Sequence, residues 1–246
     1  QGVSPQREGF ENIFPCVAIV GQLVGTEFRG ASGSFEELDR GTEFYAPQIM
    51  ARSASSSPDA PTILLGWAGN ASEDDQPSIG TGGWVHCFTA PRALSLRNGR
   101  VIARPYLPGL VLAPATLDGE PGDEAGASVA ELAGSRSWRL AFDASYEGAL
   151  SVNIGEESGL AITLEEGRLT VDLTGTRYPH GGHRVVTLDP GEAGRVEILH
   201  DRSITEIYLG DGSRVFTTRS FLLGEGAGVS LTGGASVTKV SAVRAD

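Results

Sequence analysis

A chain of 246 residues with a formal net charge of −12 is long enough for one large all-β unit or two modest domains. Nineteen basic residues against 31 acidic ones leave no surplus to neutralise a run of phosphates, which excludes a nucleic-acid partner. No apolar run approaches the ~20 residues a membrane helix needs, and no signal-peptide pattern opens the chain, so no membrane partner is expected. Cys16 and Cys87 are too few for a disulfide framework and lack zinc spacing; both read as small buried hydrophobes. The chain opens at Gln1 and its single methionine is Met50, so it reads as the later part of a longer protein. Its compartment is left open, with a cytoplasmic one favoured.

In chain order, Cys16–Val20, Thr62–Trp67 and Trp84–Ala90 are short apolar or alternating runs bounded by Gly, Pro or Ser, the pattern of strands. Ser53–Pro61 and Asn70–Gly83 are polar enough to be loops. Leu94–Leu96, Asn98-Gly99 and Val101-Ile102 predict a hairpin, because Asn-Gly accepts the positive φ angles of a tight turn. Prolines 105, 108 and 114 then mark a change of texture, and the boundary is set there: 1–106 and 107–246. Beyond it, short strands from Trp138–Phe142 to Val237–Val243 recur with tight turns such as Glu166-Gly167 and Asp211-Gly212. Such spacing predicts two antiparallel sheets packed as a sandwich, and no segment sustains a helical period.

The stretch richest in chemistry is Phe35–Met50. It crowds Glu36, Glu37, Asp39 and Glu43 against Phe44-Tyr45, and Pro47 keeps it from being an ordinary central strand. Carboxylates accept hydrogen bonds from hydroxyls while ring faces cover the C–H side of a sugar, so this composition suits a carbohydrate pocket. Other constellations are weaker. His180-Gly-Gly-His183 lacks a third metal ligand. Neighbours on a strand point to opposite faces, so His86-Cys87 are poorly placed to share a proton. Asp201 and Glu206 read as part of a surface ion-pair set, and Trp84 and Trp138 as core fillers. Neither a metal nor a cofactor is called for.

Four segments in order resemble glycoside hydrolase family 32, the invertases, sucrose-6-phosphate hydrolases and related β-fructosidases. They are F-E-E-L-D-R-G-T-E-F-Y-A-P-Q, T-I-L-L-G-W-A-G-N, D-D-Q-P-S with G-W-V-H-C-F-T-A-P-R-A-L-S-L, and Val196–Phe221. The resemblance implies an all-β protein: the last blades of a five-bladed β-propeller followed by a C-terminal β-sandwich. It also implies retaining hydrolysis of a β-fructofuranoside by two carboxylates. The family's W-x-N-D-P, R-D-P and E-C-P motifs, which hold its three carboxylates, do not occur in this sequence. Gln1-Gly2 and Phe10–Phe14 resemble segments just after the last of them, and Glu11 falls at a later residue.

No catalytic residue is therefore assigned. The substrate-binding residues implied are Asp39, at the family's L-D-x-G acid; Glu43, where many members have Asp; Phe44 and Tyr45 of F-Y-A; and the I-G-W tryptophan, Trp67. The expected role is the C-terminal part of a β-fructofuranosidase acting on sucrose or sucrose-6-phosphate. Alone it is expected to be inactive and to pair with its missing N-terminal half or with another copy. The alternative is a non-catalytic carbohydrate-binding sandwich, which would need exposed rings among Trp138, Tyr146, Tyr178 and Tyr208.

Overall fold

The computed structural model describes residues 12, 14–30, 36–51, 57, 59–69, 76–81, 83–145, 148–155, 159–180, 182–189 and 194–246. Gln1, Gly2, Glu11, Phe35, Asp74, Asp75 and Tyr146, each singled out in the sequence, lie outside them. The regular secondary structure of the described residues is almost entirely β-strand. Among the described residues its helical elements are one turn at Ser78–Thr81 and a 3₁₀ turn at Ala130–Leu132. Both are too short to leave a periodic signal, which is why the sequence does not announce them.

The N-terminal part is built on an antiparallel meander: Tyr45–Ile49, Thr62–Ala68, Arg92–Arg97 and Arg100–Pro105 pair in that order, and Cys87–Phe88 pairs beside the second of these. The hairpin expected at Asn98-Gly99 is present. Asn98 (φ 50°) and Gly99 (φ 76°) both occupy the left-handed region that a two-residue turn demands. Two small antiparallel ribbons precede it, Val17–Ala18 with Glu36–Glu37 and Gly21–Val24 with Glu27–Gly30.

The C-terminal part is two antiparallel sheets. One, of six strands, carries Ser137–Ala144 between Val237–Arg244 and Arg195–Asp201, then Ile204–Leu209 and Arg214–Arg219. The other, of seven, runs from Leu117–Asp118 to His183–Thr187. Alternation along the strands decides what each face buries. In Leu150–Ile154 the side chains of Leu150, Val152 and Ile154 are buried, while Ser151 and Asn153 face partly outward. The inward residues of both sheets meet in one core, including Trp138, Phe142, Ile198 and Phe216 from the first and Val152 and Ile162 from the second. Each aliphatic or aromatic side chain so buried stabilises the fold by roughly 1.5–3 kcal/mol before conformational entropy is charged against it.

Two strands depart from alternation along their whole length. Ile204–Leu209 and Arg214–Arg219 are buried at every position. One face joins the shared core; the other meets the N-terminal meander, where Ala103 and Leu94 pack on Tyr208 and Val215. This second contact corrects the surface reading of Glu206, which is 3% exposed. It was invisible in the sequence because the partner strand lies more than 100 residues away. Trp138 is a core residue as expected, whereas Trp84 is 36% exposed and fills no core. Cys16 and Cys87 are free thiols of intermediate rather than full burial.

Candidate functional site

Asp39, Glu43, Phe44, Tyr45 and Trp67 all lie where the meander meets the six-stranded sheet, but they divide into two layers. Asp39, Glu43 and Phe44 form the inner layer and are each less than 5% exposed. Both oxygens of the Asp39 carboxylate are occupied. Oδ1 accepts from the backbone N–H groups of Gly41 (2.9 Å) and Thr217 (2.8 Å), and Oδ2 accepts from Thr217 Oγ1 (2.6 Å). Arg92 Nη1 sits 2.8 Å from the same Oδ2 as an ion pair without hydrogen-bond geometry.

Arg92 is the hub. Its Nε and Nη2 reach Glu206 Oε2 at 3.2 and 2.7 Å, and Nη2 also donates to Thr217 Oγ1 at 2.6 Å. The Tyr208 hydroxyl donates to the same Glu206 oxygen at 2.7 Å, and the other accepts from Ala90 N at 2.6 Å. Burial opposes the Arg92 charge, but Tyr208, Glu206 and Asp39 outweigh it and raise its pKa, so the guanidinium remains a cation. Its plane lies 4.8 Å from the centre of the Phe44 ring. Glu43 pairs with Arg219 at 2.7 Å, and Arg219 in turn covers Tyr178 at 4.7 Å. The loop from Arg40 to Glu43 also bonds through its backbone to Val215 and Thr217. It is fastened to the neighbouring sheet like an added strand.

Tyr45 and Trp67 form the outer layer. They are paired across the meander with ring centroids 5.8 Å apart. Phe14 extends the row on one side, 5.3 Å from Tyr45, and His86 on the other, 4.8 Å from Trp67 and edge-on. The register between strands slips between Tyr45 and Gln48, and Ala46 takes φ 42°, a region L residues avoid. This bulge, at Ala46-Pro47, explains how a strand tolerates proline and turns Tyr45 away from Phe44. Gly66 is needed behind it: a Cβ there would stand 2.1 Å from the Phe44 ring. The outer rings therefore rest on a buried aromatic, which rests on a buried ion network. Such an arrangement offers ring faces to the C–H side of a sugar, with the Tyr45 hydroxyl free to donate or accept.

Sequence reasoning singled out five of these residues, gave Arg92 and Thr217 no role, and read Glu206 and Arg219 as members of a surface ion-pair set. P-R-A-L was quoted only as a motif, although an arginine inside an apolar run is the one signal that could have marked Arg92 as a buried partner of acids. His86 belongs to the aromatic row and not to a pair with Cys87. Burial foremost, then Glu206, pushes the Cys87 thiol up to about 11, which keeps it unreactive. Among the described residues no group of three or more His, Cys, Asp or Glu could hold a metal; His183 lies 3.3 Å from Asp172, and His180 stacks on Tyr178. The aromatic candidates of a binding face, Trp138, Tyr178 and Tyr208, are buried.

Residues 1–105 match the model of the N-terminal domain of glycosyl hydrolases family 32. The resemblance to glycoside hydrolase family 32 carried by the sequence motifs is thereby shown. Among curated relatives it is 32% identical to a sucrose-6-phosphate hydrolase of Klebsiella pneumoniae over 90% of its own length and 44% of that protein's. It is 28% identical to a sucrose-6-phosphate hydrolase of Escherichia coli over 90% of its own length and 46% of that protein's. The chain thus spans about half the length of the curated relatives it matches. Its fold is similar to that of a Bombyx mori β-fructofuranosidase, with a TM-score of 0.73 at 23% identity over 99% of this chain and 50% of that one. It is also similar to a sucrose-6-phosphate hydrolase of Lactobacillus gasseri, with a TM-score of 0.74 at 18% identity over 94% of this chain and 47% of that one.

Proposed function

We propose that this chain supplies one wall of the fructose pocket of a β-fructofuranosidase acting on sucrose or sucrose-6-phosphate. The observation that carries the reading is the row Phe14–Tyr45–Trp67–His86, built from F-Y-A-P-Q and L-G-W and set on the bulge at Ala46. Tyr45 and Trp67 touch the sugar. Asp39, Glu43 and Phe44 hold them from behind, because their own polar and apolar surfaces are already engaged within the protein. The meander over Tyr45–Pro105 is a blade of a propeller, and the two sheets beyond it are the family's sandwich, with 1–106 and 107–246 as the two units. The end of the family match at residue 105 supports that division.

The nucleophile and the acid/base group of a retaining mechanism are two carboxylates facing a common sugar. The motifs that hold them in this family are absent from the sequence, and no described acid in the row takes their place. The purified chain is therefore expected to release no fructose from sucrose or sucrose-6-phosphate above a protein-free blank. Release proportional to the amount of chain, and surviving repeated purification, would overturn this.

The N-terminal strands expose Leu23, Phe28, Ile49, Met50 and Phe88, each more than half accessible. Apolar surface gathered on short strands invites association. The chain alone is expected to elute from size exclusion as oligomers or aggregates; a sharp monomer peak across a tenfold dilution would contradict this.

A further inference from the structure

We propose that a cavity between Pro77, Ser78 and Trp84 on one side and the turn at Arg202-Ser203 on the other binds a small phosphomonoester carried on a sugar-sized body. The cavity measures about 260 Å³ and shares neither Tyr45 nor Trp67 with the face described above. It therefore stands independently of the hydrolase reading. That volume lies just below the roughly 300–1,000 Å³ of most small-molecule sites, which suits a ligand of hexose size.

The charge of the lining is opposite to that of the protein. Arg136, Arg177 and Arg202 face the cavity with Glu225 as the lone carboxylate, in a chain whose net charge is −12. Arg177 is aimed by a hydrogen bond from Nη2 to Leu223 O at 2.5 Å. Among the described residues the Arg136 and Arg202 guanidinium groups have no hydrogen-bond or ion-pair partner. The Asp246 carboxylate, which meets the backbone of Arg136, is already engaged by Ser135 Oγ, Arg136 N and Arg244. Free planar forks converging on one hollow match the three terminal oxygens of a phosphomonoester.

Two further features fit the same ligand. His200, 98% buried, lines the cavity; its Nδ1 bonds Thr205 Oγ1 at 2.9 Å, and its Nε2 has no partner. A buried ring nitrogen left open beside a polar cavity can meet a ligand oxygen. Trp84, more than a third exposed, offers its indole as a lid for the apolar side of a sugar, and Ser78 Oγ fixes it by donating to its carbonyl at 2.7 Å. Arg202 also occupies φ 54°, where Gly or Asn would be less strained. An arginine kept there costs stability and gains a guanidinium at the mouth of the cavity.

The test titrates the chain, by calorimetry and by indole fluorescence, with inorganic phosphate, fructose 6-phosphate and fructose at fixed ionic strength. Fructose 6-phosphate is expected to bind saturably and more tightly than inorganic phosphate, and fructose not at all over the same range. Arg202→Gly should weaken both anions by about tenfold or more, the loss of a charge-assisted contact, while raising the thermal midpoint because it relieves the left-handed residue. Opposite signs in binding and stability separate lost recognition from lost folding. Trp84→Ala should weaken fructose 6-phosphate and leave inorganic phosphate unchanged. Absence of binding by either anion, or equal binding by wild type and Arg202→Gly, would sink the proposal. Inorganic phosphate binding as tightly as fructose 6-phosphate would reassign the cavity to free phosphate.

Discussion

Arg92→Ala is expected to destabilise the chain by about 3–5 kcal/mol, the cost of removing one partner from a buried ion pair. Domains are stable by only about 5–15 kcal/mol in total, so the variant should be partly unfolded at room temperature. The reason is specific. Arg92 has no accessible surface in its side chain, Asp39 has none either, and Glu206 keeps only 4%. Without the guanidinium, Glu206 Oε2 keeps only the Tyr208 hydroxyl, and Asp39 keeps its bonds to Gly41 and Thr217 but loses its counter-charge. Urea unfolding monitored by circular dichroism measures the loss directly. Arg92→Met is the informative companion, since it keeps much of the packing against Phe44 but not the charge. A loss below about 1 kcal/mol in Arg92→Ala would mean that solvent reaches the cluster and that the two parts are held together elsewhere.

That cluster also shows where the sequence could be read and where it could not. Local rules were enough for the strands of the second part. Leu150–Ile154 alternates as written, and the turn at Asn98-Gly99 follows from its two residues alone. In the acid- and aromatic-rich stretch, Pro47 reads as incompatible with an ordinary central strand, and it sits at a bulge on an outer strand of the meander. What no local pattern contains is which acid meets which base. Asp39 finds Thr217 at a separation of 178 residues and Glu43 finds Arg219 at 176. Glu206, an acid on a short strand, reads as solvated until the meander is laid over its outer face. The same limit hides the cavity at Arg136, Arg177 and Arg202, whose arginines come from three separate turns. Their convergence is a property of the packed sheets.

His200→Gln is expected to remove a large part of the chain's sensitivity to mild acid. Burial pushes the His200 imidazole down to about 3 from an ordinary 6.5, so the folded protein holds it neutral. Above pH 6.5 neither the folded nor the unfolded chain protonates it, and it contributes no pH dependence. As pH falls below 6.5 the unfolded chain takes up a proton that the folded chain refuses, and stability drops by about 1.4 kcal/mol per pH unit. The loss continues until the folded-state value near 3 is reached. Between pH 7.5 and 4.5 this group alone should cost about 3 kcal/mol, the two units below 6.5 multiplied by that slope. Carboxylates add their own acid sensitivity, which the variant retains, so the comparison isolates the imidazole. Glutamine can still meet Thr205 Oγ1, which the histidine holds at 2.9 Å, and cannot be protonated in this range. Urea midpoints at pH 7.5 and 4.5 for both proteins give the result, with Trp138, whose ring centroid lies 5.5 Å from that of His200, as a local reporter. Parallel pH dependences in wild type and variant would show that the ring reaches water through the adjoining cavity and titrates near its ordinary value.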